Sequence, residues 1–110
     1  MIYMVDCVEV SPDQSDRYLD IFDSLFLPAA RKRGMKLIAC WHTPKDIGEN
    51  VTVMTVFEFE DWAHWDELRG RAVKDPALYE WIEAQSTLTL SGHRRFFETA
   101  PCSPSITVSN

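Results

Sequence analysis

The stretch IYMVDCVEV, residues 2–10, decides the fold, because its β-branched and apolar composition predicts a strand that is covered on both sides. Successive side chains of a strand point to opposite faces of a sheet. One face carries Tyr3, Val5 and Cys7, and the other carries Ile2, Met4, Val8 and Val10. The rest of the domain must therefore supply apolar cover on two sides of this strand.

Three further strands and two helices are predicted along the chain. The strands cover residues 35–43, 51–59 and 88–98, and the first two most simply form a hairpin around a loop rich in turn formers. Ser11-Pro12-Asp13-Gln14 has the arrangement of a capping box, which predicts the start of helix one. Gly34 is predicted to end that helix in a left-handed conformation.

Prolines are expected to interrupt both helices. Pro28 lacks a backbone donor and clashes with the carbonyl of Ser24, so a kink or break is predicted near Leu27. Helix two is predicted to begin at a cap on Asp61 and to come in two pieces around Asp75-Pro76. The element order predicts an α+β, ferredoxin-like βαββαβ plait with an antiparallel four-stranded sheet over residues 1–99. Residues 100–110 are predicted to be a flexible tail or an arm on a partner.

Composition limits the classes of function. A chain of 110 residues, 45% of them apolar, can build one hydrophobic core. A net charge of -6 disfavours nucleic acid and anionic membranes as partners. Three widely spaced cysteines fit reduced thiols, and no segment has the pattern of a signal peptide or a membrane span, so a cytoplasmic protein is expected.

The strands also predict a homodimer. Residues 51–59 repeat the two-sided pattern, with Val53, Phe57 and Phe59 on one face and Met54 and Val56 on the other. Two helices cover only one face of a four-stranded sheet, and a large exposed apolar face usually marks an interface. A second copy of the sheet is the simplest cover, and the alternative is that the C-terminal tail folds over it.

Several short motifs make the chain resemble the dimeric α/β-barrel superfamily, and within it the NIPSNAP-like family. The motifs are Tyr3, Val10-Ser11-Pro12-Asp13, Leu27-Pro28, Gly34, Leu37, Trp41, Thr43 and Asp75-Pro76. The resemblance covers residues 2 to about 99. It implies a dimeric α/β barrel and, if the protein is an enzyme, cofactor-independent oxygenation, isomerisation or cyclisation of a small hydrophobic molecule. The Asn, Trp and His of haem-degrading relatives are not matched, since Cys7 and Phe57 fall nearest to the first two.

His42 and Tyr3 are the candidate catalytic residues. His42 ends a strand beside Trp41, where imidazole could act as acid or base near neutral pH, and Tyr3 could donate a hydrogen bond. The alternative for His42 is a structural histidine at a strand end. No metal site is expected, because three or four ligands at restrictive spacing are missing, and no cofactor is expected.

Five residues are predicted to line a ligand cavity: Cys7, Trp41, Phe57, Trp62 and Trp65. Cys7 could instead be a buried packing residue, and Trp62 and Trp65 could simply fill the core. The leading hypothesis is a cavity between sheet and helices that binds a small hydrophobic or aromatic molecule. The rival hypothesis is a non-catalytic interaction module with a filled core.

Overall fold

The computed structural model describes residues 1–104, apart from the side chain at position 47, as one sheet with helices on one side. The strands are β1 (Ile2–Val10), β2 (Lys36–His42), β3 (Val51–Phe59) and β4 (Thr89–Glu98). The helices are α1 (Ser15–Ile21), α2 (Leu27–Lys32), α3 (Trp62–Ala72) and α4 (Pro76–Ser86). The predicted α+β class and element order are confirmed.

The sheet has the strand order β2-β3-β1-β4 with antiparallel pairing throughout, which is the order of a ferredoxin-like plait. The central pair, β1 and β3, runs in register from Ile2 opposite Phe59 to Val10 opposite Val51. β2 and β3 are paired as the predicted hairpin. The register therefore places side chains that are distant in sequence in straight rows across the sheet.

The two faces of the sheet differ because the helices cover only one of them. On β3 every second residue is buried, from Val51 to Phe59, and these side chains lie on what we call the helix-facing side. The alternate side chains form what we call the open face. Its members include Tyr3, Val5, Cys7, Trp41, Met54, Val56 and Phe97. Trp41 and Phe97 are 61% and 49% exposed in the single chain.

A π-helical turn at Phe22–Phe26 joins α1 to α2 immediately before Pro28. Pro28 has no N–H to donate to the carbonyl four residues back. The helix accommodates this with one wider, π-helical turn and continues without a break. The predicted capping box is wrong. Ser11 makes no side-chain cap; instead, the Ser15 hydroxyl donates to the carbonyl of Pro12 at 3.0 Å.

The predicted division of helix two is confirmed, since α3 and α4 are separate helices with their own caps. Asp61 Oδ1 accepts from the backbone N–H of His64 at 2.8 Å, and Asp75 Oδ1 accepts from that of Ala77 at 3.0 Å. Gly34 adopts the predicted left-handed conformation, with φ of 94°. Residues 105–110 of the predicted tail lie outside the described residues.

Candidate functional site

A cavity of about 520 Å³ lies between the helix-facing side of the sheet and the helices, and we call it the main cavity. Its apolar lining includes Val53, Phe57, Phe22, Phe26, Trp81 and Ile82. The aromatic rings hold one another in place, with the Trp81 ring centroid 5.4 Å from that of Phe26 and 5.7 Å from that of Phe22. Since ligand pockets are usually concave, mainly apolar and about this size, the main cavity is the candidate functional site.

The π-helical turn shapes one wall of this cavity. It supplies both Phe22 and Phe26, whose rings are stacked with centroids 5.2 Å apart. A π turn contains one extra residue. It therefore rotates side chains about the helix axis, onto a face that they would not occupy in a regular α-helix. Pro28 therefore affects the site, because the π-helical turn that precedes it places the rings of Phe22 and Phe26 over the sheet.

A polar row crosses the apolar helix-facing side beneath the main cavity. Thr55 of β3 lies opposite Asp6 of β1, and Asp6 lies opposite Arg94 of β4. Cys40 of β2 extends the row, since it lies opposite Thr55. Thr55 is buried, and Thr55, Asp6 and Arg94 all line the main cavity. The row gives the otherwise apolar cavity a floor with hydrogen-bonding groups.

Asp6 and Arg94 form a two-point ion pair within this row. Arg94 Nε donates to Asp6 Oδ1 at 2.7 Å, and Arg94 Nη2 donates to Asp6 Oδ2 at 3.1 Å. Paired hydrogen bonds of this kind orient both groups and reduce the cost of desolvating the carboxylate. The register places this pair on the helix-facing side and not on the open face.

Tyr18 of α1 closes the polar row from above. Its side chain is only 4% exposed and meets Trp81 edge-on with ring centroids 5.5 Å apart. Burial, followed by the charges of Asp6 and Cys40, raises the pKa of Tyr18 to about 12. The phenol therefore stays protonated at neutral pH and can donate a hydrogen bond into the main cavity, which it lines.

A second cavity of about 220 Å³ adjoins the first, and we call it the smaller cavity. Phe26, Leu78 and Arg94 line both cavities. Trp65 and Leu68 of α3 supply part of its other wall. The shared residues make the two cavities neighbours beneath the helices.

The predicted lining residues are divided between the two cavities and the rest of the fold. Phe57 lines the main cavity and Trp65 lines the smaller cavity. Trp62 is 49% exposed and packs on Phe96, with ring centroids 5.1 Å apart. Trp62 and Trp65 contact each other edge-on, but neither lines the main cavity.

The other predicted site residues lie away from both cavities. Tyr3, Cys7 and Trp41 occupy the open face. His42 is exposed at the end of β2, where its Nδ1 lies 2.9 Å from the carbonyl oxygen of Thr43. The structure does not bring Tyr3 and His42 together at one cavity.

The sequence analysis did not identify Thr55, Tyr18, Asp6 or Arg94 as site residues. Asp6 carried the one usable signal, since strand alternation places this charge on the same face as Met4 and Val8. A charged residue within an apolar face needs a polar partner or solvent. Finding the partners requires the register of three strands.

Two further features of the described residues bear on function. Within residues 1–104, no three or more His, Cys, Asp or Glu side chains are grouped closely enough to hold a metal ion. No helix in that range combines the length and apolar character that crossing a bilayer requires.

Comparison with known proteins gives a consistent picture. The family model named NIPSNAP matches residues 8–104. A NIPSNAP domain protein of Burkholderia xenovorans superposes with a TM-score of 0.82 at 18% identity, covering 96% of this chain and all of the other. A NIPSNAP family protein of Agrobacterium tumefaciens gives a TM-score of 0.79 at 20% identity, covering 93% and 88% of the two chains.

A protein that carries a different name also shares the fold. A crystal structure of an antibiotic biosynthesis monooxygenase superposes with a TM-score of 0.63 at 14% identity, covering 92% of this chain and all of the other. At this identity the likeness concerns the fold alone. No curated protein matches the sequence.

Proposed function

The chain belongs to the NIPSNAP family, and from that premise we propose that it binds a small hydrophobic or aromatic molecule in the main cavity and works as a homodimer. One observation carries the proposal: a polar row of Thr55, Asp6 and Arg94 lies beneath an aromatic-lined cavity of about 520 Å³. The space is partly open to solvent, and a concave, mainly apolar surface of this size with a few convergent polar groups is typical of ligand sites.

The polar groups around the main cavity suit a molecule with one or two hydrogen-bonding atoms. Tyr18 offers a neutral phenol, since burial holds its pKa at about 12, and Thr55 offers a hydroxyl. The Asp6 carboxylate is an acceptor on the same floor. Such groups orient a ligand, while Phe57, Trp81 and their neighbours supply most of the buried contact area.

Homodimerisation is proposed through the open face. Trp41 and Phe97 leave large apolar surfaces exposed there, and Val5 and Val56 lie opposite each other near its centre. A second copy would pack sheet against sheet and cover both sets of apolar side chains. Tyr3 and Cys7 would then lie in the dimer interface. The free cysteines, Cys7, Cys40 and Cys102, support the proposed cytoplasmic location.

Cofactor-independent oxygenation of the bound molecule is the first reaction to test, because a protein named as an antibiotic biosynthesis monooxygenase shares the fold. With naphthol, Asp6 would accept the hydroxyl proton, Tyr18 would donate a hydrogen bond, and dioxygen would be the oxidant, giving naphthoquinone and water. Oxygen uptake with naphthol as probe should be lost in Asp6→Asn while naphthol binding remains. Equal uptake in Asp6→Asn would remove Asp6 from this role.

Isothermal titration with neutral naphthalenemethanol tests the binding proposal. We expect saturable binding at one site per chain, weakened roughly fivefold by Thr55→Val, because one hydrogen bond contributes about 1 kcal/mol. Thr55→Val should leave the free energy of unfolding equal or higher, since the variant buries a methyl group in place of a hydroxyl. Absence of saturable binding across small aromatic probes would favour the non-catalytic module.

A further inference from the structure

We infer that the molecule bound by this protein is an organic acid whose anionic head occupies the smaller cavity while its apolar body occupies the main cavity. The inference rests on the proposed function, because the same ligand spans both cavities. Its basis is the charge of the smaller cavity. The charged residues that line it are Arg33, Arg69 and Arg94, and no acidic residue of the part of the chain that the structure describes lines it.

This concentration of positive charge is unusual for the chain, whose net charge is -6. The remaining lining is mainly apolar, with Met4, Met35, Phe59, Trp65 and Leu68 among its members. Arg33 is buried among apolar side chains that weaken the screening of its charge, so it attracts an anion more strongly than a surface arginine would, whereas Arg69 and Arg94 are exposed. Guanidinium groups also match the planar oxygens of carboxylates.

Arg33 is buried without full use of its donors. Its side chain is 7% exposed, and Nη1 donates to Asp75 Oδ2 at 2.8 Å. Nη2 has only the weakly accepting sulfur of Met35, at 3.9 Å, and Nε has no partner among the described residues. The Ala77 backbone N–H and the Arg33 guanidinium hold the pKa of Asp75 below its usual value, so one carboxylate balances this arginine at neutral pH. The second terminal nitrogen remains without a strong acceptor.

Arg69 supplies a cation without a carboxylate partner. It lies on α3 with its guanidinium carbon 5.6 Å from the centroid of the Trp65 ring. No carboxylate within residues 1–104 forms an ion pair with it. Stacking on Trp65 holds the group at the wall of the smaller cavity while leaving its hydrogen-bond donors for an anion.

Arg94 connects the two cavities. It lines both, and its pairing with Asp6 through Nε and Nη2 leaves Nη1 outside that ion pair. Phe26 and Leu78 also line both cavities, so apolar surface continues from one to the other. A ligand head near Arg94 would therefore leave its body over the polar row of the main cavity. The class that fits is an aromatic or aliphatic acid with a compact head.

A matched pair of probes tests this inference apart from the proposed function. Naphthoate and naphthalenemethanol share the ring system and differ in the charge of the head. We expect naphthoate to bind roughly tenfold more tightly, and only its dissociation constant to rise with salt. If both probes bind equally, the proposed function stands and this inference is overturned. If neither binds, the proposed function fails and the inference fails with it.

Two variants locate the anionic head. Arg69→Gln should weaken naphthoate binding roughly tenfold and leave naphthalenemethanol binding unchanged, because it removes one cation from the smaller cavity. Arg71→Gln is the matched control, since Arg71 is exposed on the same helix, pairs with Glu67 at 2.6 Å and lines neither cavity. Equal losses in the two variants would show a general charge effect and would overturn the assignment.

Discussion

The two faces of one sheet carry different kinds of chemistry although the same strands supply both. On the helix-facing side, Met4 and Phe57 pack beneath helices, and the polar pair of Asp6 and Thr55 interrupts them below a cavity. On the open face, Val5 and Val56 lie among apolar and aromatic side chains that the single chain leaves uncovered. The covered side therefore places a polar pair beneath a cavity, whereas the open face combines exposed aromatic rings with charged side chains such as Arg95 and Glu58.

Neighbouring residues of one strand can therefore serve two different tasks in this small domain. Because side chains alternate along a strand, residues 56 and 57 of β3 can belong to a proposed dimer interface and to a cavity wall. A substitution on one face should then change one property and leave the other. The predictions below use that separation.

The largest expected effect is the loss of Phe57, which is 1% exposed on the helix-facing side. Phe57→Ala should lower the free energy of unfolding by about 3–5 kcal/mol, since it removes a fully buried ring. The loss in denaturant titration should be the same at every protein concentration. The matched variant on the open face, Phe97→Ala, should show a smaller loss through weakened dimerisation. Equal costs for the two rings would contradict the division of the faces.

The next effect concerns the open face itself. Trp41→Glu should weaken the homodimer roughly a hundredfold, because buried tryptophans commonly dominate interfaces and a carboxylate there would be desolvated. Since Trp41 is 61% exposed in the single chain, the monomer should remain folded. Sedimentation velocity measures the change. Tyr79→Glu, at a 53% exposed aromatic on α4, is the control and should remain dimeric. An unchanged dimer in Trp41→Glu would place the interface elsewhere.

Tyr18 should make the helix-facing side sensitive to alkaline pH. Its folded pKa of about 12 lies above the ordinary value of 10.0, so the unfolded chain loses this proton first as pH rises. The buried, neutral phenol contributes fully to the free energy of unfolding below the unfolded-state pKa. That contribution is lost as pH rises through the folded-state pKa, which lowers the free energy of unfolding by about 2–3 kcal/mol. Denaturant titrations from pH 9 to 12 should show a shallower decline in Tyr18→Phe. Parallel declines in both proteins would place the Tyr18 hydroxyl in solvent.

The smallest expected effect is that of His42, the catalytic residue predicted from the sequence. His42→Ala should cost about 1 kcal/mol or less, because the side chain is exposed and its Nδ1 lies beside the backbone carbonyl of the next residue. Its exclusion from both cavities leads us to expect unchanged binding of naphthalenemethanol. If calorimetry instead shows weakened binding with unchanged stability, the sequence-based site at the end of β2 is correct.

Much of the fold could be predicted because its signals are local. Alternation in residues 51–59 agrees with β3, Gly34 ends the first helical segment, and Asp75-Pro76 divides the second helical region. Capping was predicted wrongly, because the Gln14 N–H donates to the backbone carbonyl of Ser11 at 3.0 Å and the Ser11 hydroxyl makes no cap. For the first helical segment, the sequence predicts only a kink or break near Leu27, whereas the structure has a π turn before Pro28.

The candidate site could be predicted only in part, because it depends on register and not on sequence spacing. Asp6 and Arg94 lie 88 residues apart and meet only after β1 and β4 pair in one register. A shift of β4 by one residue would move Arg94 to the open face and separate it from Asp6. Tyr18 has the spacing of an ordinary core residue, and only its position above Asp6 distinguishes it. His42 was chosen because strand ends often deliver side chains to cavities, but the cavity lies beneath the helices.

Methyl NMR with naphthalenemethanol tests the central claim most directly, because valine and isoleucine methyl groups report on both faces of the sheet. Val53 and Ile82 line the main cavity, while Val5 and Val56 lie on the open face. We expect saturable shifts of the Val53 and Ile82 methyl signals, with those of Val5 and Val56 unchanged. Saturable shifts at Val5 and Val56, with Val53 and Ile82 unaffected, would contradict it.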